Sequence, residues 1–114
     1  MIIFDLSLTD EKEIFQELKP SGLILINSNK GIDFFKNMRR YKVGLIDALL
    51  IARNVGLGGT FNMAMLGAYT RLTHLVKMET LIEAVKRMVP AKEELNIGAV
   101  KQAYEQTKVY EIER

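Results

Sequence analysis

Gly56-Leu57-Gly58-Gly59, followed at Asn62 by an apolar stretch of helical character, is the run in this 114-residue chain whose residue types could hold an anion. Backbone N–H groups of a glycine turn, together with the amino end of a helix, can cradle a phosphate. Gly58, Gly59 and Asn62 are therefore the candidate cofactor-binding residues. The competing reading is a helix-ending glycine at Gly56 followed by a tight turn, with Asn62 as a helix N-cap. Arg39-Arg40-Tyr41-Lys42 is the densest basic cluster. Arginine's planar fork suits phosphate, although a solvated loop is the plainer assignment. His74, the only histidine, lies between Arg71 and Lys77 with no carboxylate orienter or metal-ligand partner, so it reads as a helix-end residue. Asp5 and Asp47 each follow a strand-like run, where ligands approach open α/β sheets, but helix capping and turn formation explain both without a ligand. No catalytic residue and no metal site are predicted.

Composition narrows the chemistry further. With no cysteine, the chain has no disulfide, no thiolate nucleophile and no cysteine-ligated zinc or iron–sulfur cluster. A net charge of +2 is too small to argue for nucleic acid. Apolar residues at 48% and charged residues at 26% are ordinary globular values. The longest apolar runs, such as Leu23 to Ile26 and Leu49 to Ala52, fall far short of the roughly 20 residues that span a bilayer. Met1 leads into a strand-like run without a basic n-region, so the cytoplasm is the expected compartment and no membrane partner is expected.

The elements that would position these residues follow from periodicity and turn chemistry. Met1 to Leu6 and Leu23 to Ile26 read as strands covered on both faces, because their apolar runs are nearly continuous. Between them Ser7 or Thr9 can cap a helix from Asp10 to Leu18, and Lys19-Pro20-Ser21-Gly22 is a turn, so a parallel βαβ unit is expected. Ile32 to Met38 reads as a short helix, and Tyr41 to Ile46 as a third strand. Asp47 is the natural cap of a helix from Ala48 to Val55, which Gly56 ends in a left-handed turn. The central helix fades near Thr73-His74. Further helices are predicted from Met78 to Val89, stopped by Pro90, and from Ala91 to Gln106, with Lys108 to Arg114 as a peripheral tail.

The central stretch Asn62-Met63-Ala64-Met65-Leu66-Gly67-Ala68-Tyr69 is apolar on nearly every side, as a buried helix should be. A helical glycine costs up to ~1 kcal/mol relative to alanine and usually has a packing reason. Met65, Gly67 and Ala68 therefore form a close-packing surface, either inside the chain or at an interface with a partner subunit. The whole, residues 1–114, is read as one domain: an α/β layered sandwich with a small, mainly parallel sheet and a helical C-terminal half.

The succession Asp47-Ala48, Gly56, Asn62-Met63-Ala64-Met65-Leu66-Gly67-Ala68, Leu75-Val76, Glu79, Leu81, Glu83-Ala84-Val85, Asn96, Ala99 and Tyr104-Glu105 resembles the gamma subunit, or gamma domain, of 2-oxoacid:ferredoxin (or flavodoxin) oxidoreductases. Its most distinctive part is the Asn-x-x-Met-Leu-Gly-Ala core with an Asn-x-x-Ala helix about thirty residues later. Phe4-Asp5, the turn Leu18 to Gly22 and the strand Leu23 to Asn27 are similar to the family's opening elements. The chain departs from the pattern at Lys77, where the family often has a serine cap, at Ala103, where glycine is common, and after Gln106. It corresponds to the C-terminal portion of the family's domain, which usually begins with a further strand and Gly-rich loop.

The resemblance implies a component of an enzyme that oxidatively decarboxylates a 2-oxoacid to an acyl-CoA, such as pyruvate:ferredoxin oxidoreductase. Thiamine diphosphate, iron–sulfur clusters and coenzyme A would belong to the complex and none to this chain alone. Partners would be the other subunits and, through them, ferredoxin or flavodoxin, in a homo- or hetero-oligomer. The chain would support assembly rather than carry the catalytic centre, with a CoA phosphate as a candidate anion for the glycine run. Two rival readings are a stand-alone interaction module that kept the fold without the enzyme, and a small nucleotide-binding α/β protein.

Overall fold

Continuous apolar runs need cover on both faces, and the chain builds that cover from two different materials. The computed structural model describes residues 2–3, 22–58, 60–88 and 91–112. The expected helix Asp10 to Leu18 with its caps Ser7 or Thr9, the strand-end Asp5, and Val89-Pro90 lie outside the described residues. Four strands form one sheet in the order β1 (Ile2–Ile3), β2 (Leu23–Asn27), β3 (Lys42–Ile46) and β4 (Lys108–Tyr110). β1, β2 and β3 are parallel, with Leu25 opposite both Ile2 and Gly44, while β4 runs antiparallel to β3.

Side chains alternate between two cores. Ile24, Ile26, Val43 and Leu45 pack against Phe35, Met38 and Tyr41. Phe35 and Met38 come from a 3-10 segment, Ile32–Arg40, whose backbone kinks at Phe35, and Tyr41 is the cap residue that follows it. Leu25 and Ile46 point the other way, toward α1 (Ala48–Val55), α2 (Asn62–Thr73) and α4 (Glu93–Gln106). The result is a layered α/β sandwich with a mainly parallel sheet and a helical C-terminal half, as expected.

Two elements differ from expectation. The basic cluster is not a solvated loop: Tyr41 is buried at the end of the 3-10 segment, and Lys42 opens β3 and pairs with Glu111 at 3.6 Å. The residues after Gln106 do not form a peripheral tail, because Thr107 turns the chain into extended backbone and β4 pairs with the open side of β3. Thr107 is buried there and donates both its backbone N–H, at 2.9 Å, and its hydroxyl, at 2.6 Å, to the Ala103 carbonyl, which accepts the two bonds at the helix end.

The helical half is set by one close approach. A Cβ on Gly67 would collide with the Val100 carbonyl oxygen and lie 2.9 Å from its carbon and 3.0 Å from its Cα, so α2 and α4 touch backbone to backbone. Four residues further along both helices, the Arg71 guanidinium lies 5.4 Å from the centre of the Tyr104 ring. The common offset means that α2 and α4 run parallel. Parallel neighbours need a return path, and α3 (Met78–Met88) supplies it, burying Leu81 and Val85 against Val100.

Gly67→Ala is therefore expected to lower stability by about 2 kcal/mol or more, since overpacking against backbone outweighs the helix-propensity gain. Gly31→Ala is the control: Gly31 has extended backbone and nothing within 4 Å of an added Cβ, so no loss is expected. Urea unfolding monitored by circular dichroism checks both.

Candidate functional site

The polar run Asn27-Ser28-Asn29-Lys30 leaves β2 at the same level at which Asp47 leaves β3, because the two strands are parallel and in register from Leu23 to Asn27. Three side chains lock these loops to the backbone. Asn27 Oδ1 accepts from the Ala48 N–H at 2.9 Å, Asp47 Oδ1 accepts from the Leu50 N–H at 3.1 Å, and Ser28 Oγ accepts from the Lys30 N–H at 3.0 Å. The Ser28 N–H in turn donates to the Ile46 carbonyl at 2.9 Å. Two of the four free N–H groups that open α1 are thus satisfied by side chains from two different strand ends.

Around this rigid corner lie two adjoining recesses of about 280 and about 370 Å³. They share Ser28, Asn29, Asp47 and Leu50. The first is walled by Lys30, Lys108 and Tyr110, the second by Arg53. Their place, at the carboxyl ends of parallel strands, is where open α/β sheets receive ligands.

The residues singled out by sequence are distributed differently. Asp47 lies in the cleft, but its carboxylate serves as the α1 cap. Gly56 ends α1 with φ +97; its N–H donates to the Arg53 carbonyl, and the Leu57 N–H to the Ala52 carbonyl at 2.8 Å. The first two donors of the glycine run are therefore engaged in a helix C-cap of Schellman type. Gly58 is exposed in a left-handed conformation, φ +65, and lines neither recess. Gly59 lies outside the described residues. Asn62 does not cap α2: it is the first helical residue and exposed, while the cap position belongs to Phe61, which gives no side-chain cap bond.

His74 ends α2 in the left-handed region, φ 53, as a helix-end residue should. Met65, Gly67 and Ala68 are all buried within this chain. The bulky neighbour that presses on Gly67 is its own α4, so this surface is an internal contact rather than an interface with a partner subunit. Leu50, Arg53 and Lys108 give no sequence signal for a site. Lys108 joins the cleft only because β4 returns to the sheet, which three residues do not announce.

Family and fold comparisons complete the description. The sequence profile described as pyruvate ferredoxin/flavodoxin oxidoreductase matches residues 1–106. The chain belongs to this oxidoreductase family. It is similar to the common subunit gamma of the pyruvate/ketoisovalerate oxidoreductases of Pyrococcus furiosus, at 34% identity over 118 aligned positions, 98% of this chain and 63% of that one. The pyruvate synthase subunit PorC of Methanothermobacter thermautotrophicus is 35% identical over 107 positions, 93% of this chain and 57% of its own length. The crystal structure of pyruvate oxidoreductase subunit PORC from Thermotoga maritima superposes with a TM-score of 0.84 at 28% identity, covering 96% of this chain and 64% of that one. The chain thus spans somewhat under two-thirds of the length of these members of the oxidoreductase family.

There is no cysteine, and the described residues hold no cluster of three or more His, Asp or Glu side chains arranged for a metal ion. Asn27→Ala and Asp47→Ala should each lower stability by about 1 kcal/mol by freeing an N–H at the start of α1. Thermal melts should show each midpoint falling by roughly 4 °C.

Proposed function

We propose that this chain is a gamma-type component of a 2-oxoacid:ferredoxin or flavodoxin oxidoreductase, with an assembly role and no catalytic centre of its own. The observation that carries this reading is the family match across residues 1–106, joined to a fold that follows the Thermotoga PORC subunit at a TM-score of 0.84. Relatives are named as the common subunit gamma of pyruvate/ketoisovalerate oxidoreductases and as the PorC subunit of a pyruvate synthase, which supports chemistry on a 2-oxoacid as the activity of the whole.

Within that assembly, thiamine diphosphate and the iron–sulfur clusters belong to other chains. The absence of any thiolate here supports this division, since cluster ligation rests chiefly on cysteine. Coenzyme A, the acyl acceptor, would be met at the assembled site, and electrons would leave through a partner to ferredoxin or flavodoxin. No helix among the described residues is long and apolar enough to cross a membrane, which agrees with a cytoplasmic complex.

Affinity purification of the tagged full chain from its native host tests the reading. The expected result is co-elution with a protein that carries thiamine diphosphate, detected by the thiochrome assay, together with iron. Elution of the chain without any thiamine-containing partner would overturn it.

A further inference from the structure

We infer that the cleft at the carboxyl ends of β2 and β3 seats an acidic segment of the partner subunit, with Leu50 as its apolar anchor point. This rests on the assembly role proposed above and adds where, and by what chemistry, the partner docks.

Leu50 is 52% exposed although it stands at the meeting of the two recesses and lines both. A large apolar side chain in the middle of a polar rim follows the layout of a protein interface, with an apolar centre that is desolvated on docking and a polar, solvent-accessible rim. The rim is positively charged. Lys30 and Lys108 wall one recess and Arg53 the other, against the single carboxylate of Asp47. That carboxylate already accepts the Leu50 N–H, and none of the three cations makes an ion pair among the described residues. Complementary charge across an interface directs encounter and fixes orientation.

The shape favours a polypeptide over a metabolite. Small ligands are held in sites that bury most of their surface. Here the two recesses run into each other past a half-exposed leucine, which makes a trough that a chain segment can cross. Acidic side chains on such a segment would meet Lys30 and Lys108 on one side of Leu50 and Arg53 on the other. The trough is also pre-formed. Asn27, Ser28 and Asp47 fix its floor through their own hydrogen bonds, so little ordering cost remains on docking.

The test uses the complex purified from the host, with the full chain carrying Lys30→Glu/Lys108→Glu or, separately, Leu50→Asp. All three positions are exposed, and the circular dichroism spectrum of each variant checks that it folds. Each variant is expected to bind the partner at least about tenfold more weakly. The wild-type complex should weaken as sodium chloride rises, with a flatter dependence in the charge-reversed variant. If a folded variant binds the partner within about twofold of wild type, the cleft is not the docking place while the assembly role stands. Weakening without any salt dependence would overturn the acidic chemistry. Should inorganic phosphate at millimolar concentration bind the cleft while both variants keep the partner, the occupant is a small anion and the inference falls. A wild-type chain with no thiamine-carrying partner would remove the assembly role and the inference together.

Discussion

The backbone contact between Gly67 and Val100 is the constraint from which the rest of the helical half follows. Two helices that touch this closely admit no side chain at the crossing, so their relative position is fixed by main-chain atoms rather than by adaptable packing. Because they run parallel, the chain must travel the length of a helix to return, and α3 occupies that path. α2, held in place by α4, then presses Leu72 onto the sheet at Gly44, the second glycine where space is scarce; there an added Cβ would lie 3.2 Å from the leucine's nearer methyl. The same α4 delivers Thr107 and β4 to the open side of β3. One wall of the cleft is therefore a remote consequence of a missing Cβ in the middle of the chain.

Parallel helices carry an electrostatic cost that antiparallel ones avoid, since their positive amino ends lie side by side and so do their negative carboxyl ends. The sequence compensates at both. Glu93 and Glu94 occupy the first turn of α4, where a carboxylate is favoured. Arg71 occupies the last turn of α2, and its guanidinium lies over the Tyr104 ring of α4, joining the two carboxyl ends by a cation–π contact. Neither feature is a candidate site. Both answer the arrangement that Gly67 imposes.

Most of the fold is legible in the sequence where local chemistry and tertiary structure agree. Asp47 and Gly56 bracket α1 as cap and left-handed stop, because each residue type does there what its side chain, or lack of one, favours. The apolar runs of β2 and β3 read as doubly covered strands, and they are. Illegible were the features decided at a distance. β4 is three residues long, too short for alternation to show, and exists because β3 has an open side. Asn62 has the side chain of a cap, but α2 begins one residue earlier than such a cap would require, at Asn62 itself, which leaves the cap position to Phe61. The cleft was half legible: Asn27 to Lys30 and Asp47 stand at strand ends by their sequence positions. Leu50, Arg53 and Lys108 become its walls only once α1 and β4 are placed in space.

The return of the chain from α4 into β4 has a consequence for how the molecule comes apart. A helical C-terminal half joined to the sheet only through the α1 and α2 packing could melt as a separate unit. Here Val43, Gly44 and Leu45 are tied by ladder hydrogen bonds to the last described strand, so loosening α4 also strips the edge of the sheet. Sheet and helices are thereby laced into one cooperative unit, in which partial unfolding from either end draws on the other.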